Sequence, residues 1–123
     1  MNIVDEIGWR LGVLASLAAQ ERYMVNATPD EYLLIDDAVE DALGLAEHRL
    51  MQHMDERILA SVSRFLLVLR AEMNNFDNLP QMPWDKAVLE QHSLKAVRAA
   101  AHTCISDIGF DLASWERSEG YAA

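Results

Sequence analysis

The four histidines and twenty acidic residues of this 123-residue chain raise the question of a metal site. Two helical side chains share a face only when they are three or four residues apart. His48 and His53 are five apart, and His92 and His102 are ten apart. No acidic residue precedes His48 or His53 by three or four positions, so the Glu-x-x-His motif of carboxylate-bridged bundles is missing there. The spacing predicts no metal ion and no other cofactor.

Nucleophilic catalysis finds no support in the sequence either. Cys104 and His102 are two residues apart, which places them on different sides of a helix. The chain contains neither a Gly-x-Ser-x-Gly motif nor a glycine-rich phosphate loop. Arg64, Arg70 and Arg98 lie near apolar stripes, along which arginines usually lay their stems. We therefore expect a protein that is not an enzyme.

An acidic segment extends from Tyr23 to His48, with seven acidic residues and no Lys or Arg. Such a row is commonly a solvated helix face. It also fits a docking surface for a basic partner, since charge raises association rates, or a mimic of nucleic-acid phosphates. The acidic residues predicted to contact a partner are Asp36, Asp37, Glu40, Asp41 and Glu47.

A third alternative comes from a resemblance. Residues 36–40, Asp-Asp-Ala-Val-Glu, resemble the Glu-Glu-x-x-Glu half of the magnesium site in the all-α MazG-like nucleotide pyrophosphohydrolases. The resemblance covers these five residues, and two of the acids are Asp where the family has Glu. It implies a small metal-dependent nucleotide hydrolase. The family's second half, Glu-x-x-Asp, is absent from the sequence, which leaves the cation without ligands on one side. No metal ligand is assigned.

Charge and hydropathy exclude several kinds of partner. The net charge is −10 and the sequence has no basic cluster, so we expect no direct binding to nucleic acid or to anionic membranes. No apolar run approaches the roughly 20 residues that cross a bilayer. The apolar residues 11–19 follow Asp5 and Glu6 rather than the basic residues of a signal peptide. The single cysteine fits a reducing compartment. We expect a cytoplasmic protein.

Composition and periodicity predict an all-α fold. Hydrophobic residues make up 51 %, and only five Gly and three Pro interrupt the chain, too few for the turns of a β-sandwich or barrel. We expect a single domain over residues 1–123, an irregular bundle of four to five helices. The predicted helices span residues 2–24, 29–52, 55–73, 84–108 and a short 111–117, followed by a frayed tail over 118–123.

Three local signals refine these helices. Thr28-Pro29-Asp30-Glu31 is typical of a helix start. A turn near residues 52–56 is predicted because a continuous helix would bury Arg49 and His53, although one long kinked helix is the alternative. For residues 84–108, the alternative to one helix is a short helix followed by a longer one that Ser93 caps.

The first helix carries more apolar surface than a lone bundle of this size can cover. Two stripes share it, one through Ile3, Ile7 and Leu11 and the other through Trp9, Val13 and Leu17, while Gly8 and Gly12 would let another backbone approach closely. We therefore predict a homodimer through this helix. The predicted apolar contacts to a partner are Ile3, Ile7, Trp9, Leu11, Val13, Leu17 and Trp84.

These features favour a protein-interaction module over an enzyme. We expect a small acidic antagonist or regulator that occupies the surface of a partner protein, as antiactivators of transcription factors or phage-encoded inhibitors do. A nucleic-acid mimic that blocks a DNA- or RNA-binding protein is the first alternative, and the metal-dependent hydrolase is the second.

Overall fold

A computed structural model describes residues 2–121, apart from the side chain of Pro29. Within these residues the chain forms α-helices and no strand, which confirms the all-α prediction. The seven helices are α1 (Ile3–Ala15), α2 (Leu17–Gln20), α3 (Ile35–Leu43), α4 (His48–Met51), α5 (Glu56–Glu72), α6 (His92–Asp107) and α7 (Leu112–Ser118). Turns of 3-10 helix span Pro29–Glu31, Gly44–Ala46, Met73–Asn78 and Lys86–Glu90, and a π turn spans Glu21–Val25. The predicted count of four to five helices was too low because two predicted helices are broken.

Helix α6 lies at the centre of the molecule. It packs against α5 and against α1, and α1 in turn packs against α3 and α7. The core between them is apolar, with Leu11, Val62 and Ile105 at most 1 % exposed. Burial of these side chains is the main stabilising contribution to a bundle of this kind. In the part of the chain that the structure describes, no helix has the length and apolar composition needed to cross a bilayer.

The predicted first helix is broken at Ser16. The backbone there is extended, with φ −104° and ψ 112°, so this residue ends α1 and begins α2. The hydroxyl Oγ of Ser16 accepts a hydrogen bond from the backbone N–H of Ala19 at 3.0 Å. It also donates to the Glu116 carboxylate on α7 at 2.5 Å. One serine therefore caps a short helix and joins it to the end of the chain.

Gln20 compensates for the hydrogen bonds that this break removes. In an unbroken helix, the carbonyls of Val13 and Leu14 would accept from the N–H groups four residues later. Here the side-chain amide Nε2 of Gln20 donates to both carbonyls, at 3.0 and 2.9 Å. Its Oε1 accepts from Arg98 on α6 at 2.9 Å, and Arg98 also donates to the carbonyl of Leu89 at 3.1 Å. Gln20 is 1 % exposed, and these contacts satisfy its buried polar atoms.

The helix predicted over residues 29–52 is not continuous, although most of residues 35–51 are helical. The start is where the sequence predicted it, since the Glu31 carboxylate accepts from the backbone N–H of Thr28 at 3.4 Å. The chain then extends through residues 32–34 before α3 begins at Ile35. A continuous helix in the phase of α3 would have placed Leu33 on the acidic side. The extended segment leaves Leu33 half-buried instead.

Gly44 marks the end of α3 and allows a contact to α1. A Cβ at this position would lie 2.5 Å from Nη1 of Arg10. The Arg10 guanidinium donates from Nη1 to the carbonyl of Asp41 at 3.0 Å and from Nε to Glu6 at 3.0 Å. The absence of a side chain at Gly44 therefore lets Arg10 connect α1 to α3.

The predicted turn before α5 is confirmed, and one long kinked helix is excluded. Asp55 begins α5, and its Oδ1 accepts from the backbone N–H of Ile58 at 2.8 Å. The region predicted as a helix over 84–108 is divided: a 3-10 turn ends at Glu90 and α6 follows. Gln91 is the residue before α6, and Ser93 is buried within its first turn rather than capping it.

At Gly8 and Gly12, helix α1 contacts aromatic rings rather than the backbone of another helix. A Cβ on Gly8 would lie 2.2–2.5 Å from ring carbons of Phe110, and one on Gly12 would lie 2.8–3.0 Å from the Trp115 indole. The two glycines therefore form the surface of α1 on which α7 and the residues before it pack.

The chain remains packed beyond α7, so the predicted frayed tail from residue 118 is wrong as far as Tyr121. The Tyr121 hydroxyl donates to the Tyr23 hydroxyl at 2.6 Å. Its ring meets the rings of Tyr23 and Trp115 edge-on, with centroids 5.4 Å apart in each pair. Burial raises the pKa of Tyr121 well above the usual tyrosine value. The rest of the predicted tail, residues 122–123, lies outside the described residues.

Candidate protein-binding groove

The structure separates the seven apolar residues predicted to contact a partner. Ile7 and Leu11 belong to the core, both at 0 % exposed, so their prediction as contact residues was wrong. Trp84 is 4 % exposed, and its role as a contact residue stays a prediction. The helix side that bears Ile7 and Leu11 is covered by the rest of the bundle, while Trp84 is fixed in its loop by hydrogen bonds. Ile3 and Val13 are half-buried, whereas Trp9 is 55 % and Leu17 40 % exposed.

Trp9 and Val13 form an outer ridge on α1, and Leu17 is exposed at the start of α2, after the break at Ser16. At four-residue spacing Trp9 and Val13 lie on one side of α1. This side falls between Arg10, which faces α3, and Gly12, which faces Trp115. The ridge and Leu17 are thus the part of the predicted apolar surface that the fold leaves accessible to water.

All five acidic residues predicted to contact a partner are exposed. Asp36, Asp37, Glu40 and Asp41 lie on α3, and Glu47 follows it. Glu47 accepts from Arg49 at 3.1 Å in an exposed ion pair, which contributes little to stability. What these carboxylates contact in a complex stays a prediction.

One end of the acidic helix forms a wall of a groove, called here the Leu34 groove. Its volume is about 450 Å³, within the usual range for ligand pockets. The first wall is the segment that leads into α3, and the second is the loop between α5 and α6. The lining residues are Tyr32, Leu34, Ile35 and Asp36 on the first wall and Phe76, Asp77, Leu79, Pro80, Gln81, Met82 and Trp84 on the second.

Leu34 is prominent in the first wall because it begins α3 with an extended backbone. Its φ of −73° and ψ of 140° place it outside the helix, while its carbonyl accepts from the N–H groups of Asp37 and Ala38 at 3.1 and 3.3 Å. A leucine at a helix start provides no capping oxygen. Its side chain is 50 % exposed, whereas the next residue, Ile35, turns inward and is buried. The groove therefore contains an apolar side chain that the fold itself leaves half uncovered.

The second wall is a loop held firmly to the body of the protein. The Trp84 indole N–H donates to the Pro80 carbonyl at 2.7 Å, and the Trp84 backbone N–H donates to the carbonyl of Met24 at 2.8 Å. Phe76 is buried, and its carbonyl accepts from the N–H of Leu79 at 3.1 Å. Between them the Met82–Pro83 peptide is cis. These contacts fix both ends of the wall before any ligand is bound.

Another cleft of about 450 Å³ lies at the Ser16 break, but several of its polar groups already have partners within the protein. Its lining includes Lys95, Arg98 and Glu116. Glu116 accepts from Ser16, Arg98 donates to Gln20, and Lys95 lies 3.4 Å from the carboxylate of a glutamate. This arrangement stabilises the broken helix, so we assign the cleft a structural role.

Cys104 is equally unsuited to chemistry. The thiol is 2 % exposed, between α6 and the rest of the core. Burial, with the nearby Asp107 carboxylate, raises the pKa of Cys104 to about 11. The thiol is therefore protonated at neutral pH, and a protonated thiol is a weak nucleophile.

Comparison with known proteins gives no relative. No family model, curated protein or solved structure matches the chain. Among residues 2–121, no three His, Cys, Asp or Glu side chains are grouped so as to hold a metal ion. A functional proposal therefore depends on the groove and the exposed ridge.

Sequence reasoning named Asp36 and Trp84 separately but missed the groove that contains both. The predicted helices leave residues 74–83 between them, and Phe76, Leu79 and Met82 were not grouped into a site. Three apolar side chains among turn-forming residues were the available signal, because a purely solvated loop rarely needs them.

Proposed function

We propose that this chain is a non-enzymatic protein-interaction module that binds an apolar segment of another protein in the Leu34 groove. The observation that supports this proposal is the half-exposed Leu34 in a groove of about 450 Å³ that is lined largely by apolar residues and has one wall held by hydrogen bonds. By holding such a segment, the module keeps the partner from its other contacts. That action is the one expected of a small acidic antagonist or regulator.

Two physical effects favour binding in this groove. Complete burial of a leucine stabilises by about 1.5–3 kcal/mol, so covering the exposed half of Leu34 contributes about 1 kcal/mol. The hydrogen bonds of Trp84 and Phe76 order the second wall in advance, which lowers the entropy lost on binding. Further apolar surface comes from Leu79 and Met82, both half-buried.

Replacing Leu34 with arginine tests this proposal, with Leu67→Arg as the matched control. Leu67 is also an exposed leucine, 69 % exposed, and it lies on α5 outside the groove lining. In affinity capture from a cell lysate, we expect the proteins that bind the parent chain to bind Leu67→Arg as well but not Leu34→Arg. The purified partner should bind Leu34→Arg at least about tenfold more weakly.

The comparison between the two variants decides the outcome. Equal losses with both variants would show that a surface charge, rather than the groove, disturbs binding. Full retention with Leu34→Arg would place the binding site elsewhere. Circular dichroism of each variant verifies that the fold is kept.

We also propose that two copies associate through the outer ridge of α1 and through Leu17, which is supported by the exposure of Trp9 and Leu17. Light scattering over a range of concentrations should give a dimer for the parent chain and a monomer for Trp9→Glu. Leu67→Glu, which adds the same charge to α5, should remain a dimer. A parent chain that stays a monomer at all concentrations would refute self-association and leave the groove proposal untouched.

A further inference from the structure

The Leu34 groove has a carboxylate on each wall. Asp36 belongs to the α3 wall and Asp77 to the loop wall, and both side chains are exposed. The described lining residues include no Lys, Arg or His. The described lining therefore combines apolar side chains with two carboxylates, called here the rim carboxylates, and it contains no basic side chain to balance them.

The surrounding sequence extends this negative charge. Residues 30–41, which include the first wall and α3, contain six acidic residues and no Lys or Arg. Residues 74–85, which include the second wall, contain two acidic residues and again no Lys or Arg. Arg22 contacts Glu31 at the edge of this region, at 3.2 Å, but it does not line the groove. Lys86 follows directly after the second wall and pairs with Glu21 at 3.6 Å. Within the described lining of the groove itself, the charged side chains are both negative.

Charge of this kind selects among apolar partners. A segment with acidic residues beside its apolar anchor would bring like charges together, whereas Lys or Arg in those positions would face a carboxylate. The attraction extends over roughly 8 Å at physiological salt, so it also guides the encounter. The long stems of Lys and Arg cover apolar surface while their heads reach a charged rim.

We infer that the occupant of the Leu34 groove is a basic apolar segment of another protein, in which an apolar anchor is flanked on both sides by Lys or Arg. This inference rests on the proposed function of the groove. The anchor contacts Leu34 and Met82, and the flanking cations pair with Asp36 and Asp77. One acidic wall alone would require a cation on one side of the anchor; two acidic walls require both.

A random peptide library displayed on phage tests this inference. The library is selected on the parent chain and depleted on Leu34→Arg, so that the retained peptides depend on the groove. We expect these peptides to carry Lys or Arg on both sides of an apolar residue. Synthetic copies should bind the parent chain more weakly as salt increases.

Two double variants that remove the same charge distinguish attraction by the two rim carboxylates from attraction by the overall negative charge of the protein. Asp36→Asn with Asp77→Asn removes both rim charges, and Glu56→Gln with Glu119→Gln removes two exposed acids outside the groove lining. Both double variants change the net charge equally. Affinity should fall about tenfold in the first and by no more than about twofold in the second. Equal losses would refute recognition by the rim carboxylates.

The remaining outcomes distinguish the two proposals. Peptides that depend on Leu34 but carry no flanking cations would overturn the basic partner and leave the groove function standing. If the basic peptides are all removed in the depletion step because they bind Leu34→Arg equally well, both proposals are overturned and nucleic-acid mimicry by the acidic surface is favoured. A selection that yields no peptide dependent on Leu34 would also overturn both.

Discussion

Gly8→Ala is expected to destabilise the protein, although alanine is the better helix former. In an open helix position this replacement stabilises by about 1 kcal/mol. Here the added Cβ would lie 2.2–2.5 Å from the Phe110 ring, so the ring and the chain leading into α7 must move. Overpacking of this kind costs about 1–3 kcal/mol. Urea denaturation should therefore show a lower free energy of unfolding, opposite in sign to the helix-propensity effect.

Gly44→Ala is the matched control for this prediction. Its added Cβ would meet Nη1 of Arg10, the far end of a flexible side chain that can rotate away. We expect its free energy of unfolding to stay within about 0.5 kcal/mol of the parent value. Adding Phe110→Ala to Gly8→Ala should cost less than the two single effects combined, because the clash is then removed. A Gly8→Ala chain more stable than the parent would contradict the packing of Phe110 on α1.

Gln20→Leu is expected to have the second large effect. The replacement keeps an apolar side chain of similar size but removes the donor to the carbonyls of Val13 and Leu14 and the acceptor for Arg98. Each buried polar group left without a partner costs about 1–3 kcal/mol, so we expect a total loss of about 2–5 kcal/mol. Thermal and urea unfolding measure it directly.

Gln52→Leu provides the comparison for Gln20. Gln52 is exposed and donates to the carbonyl of Arg49 at 3.3 Å, where water can replace it. Its replacement should change the free energy of unfolding by less than about 0.5 kcal/mol. Equal stabilities of the two variants would show that the broken helix does not depend on Gln20.

The helix starts were predicted correctly where they depend only on residues that are close together in the sequence. The helix starts at Asn2 and Asp55 were recognisable because a side-chain oxygen caps the backbone within three residues, as it does at 2.9 and 2.8 Å in the structure. The start at Thr28 was found for the same reason. The all-α class followed from periodicity that any helical packing would require.

The break at Ser16 could not be predicted from its neighbours. Leu14, Leu17 and Ala18 continue a helical pattern through it, and serine alone does not end a helix. The groups that stabilise the break, above all Arg98 and Glu116, are distant in sequence. Tertiary hydrogen bonds thus override local propensity here.

Only the acidic half of the candidate site could be predicted from the sequence, because the groove also depends on contacts between distant residues. The acidic row was predicted as exposed, and its exposure is what the structure shows. The groove depends on the fold, which brings residues 32–36 beside residues 76–84. On α1, two apolar stripes offered no means to decide which one is buried, and Gly8 and Gly12 decide it by accepting Phe110 and Trp115.

The first two helices and the turn after them contact residues that lie about 100 positions later in the sequence. Ser16 meets Glu116 and Tyr23 meets Tyr121, separations of 100 and 98 positions. At about 5–20 residues per second, the ribosome needs roughly 5–20 s to produce that intervening chain. During this interval α3 and α6 can already pack on α1, but the side of α1 at Gly8 and Gly12 has no native cover. The packing of Phe110 and Trp115 on α1 is therefore a late step in folding during synthesis, and a chain truncated before α7 should be more prone to aggregation.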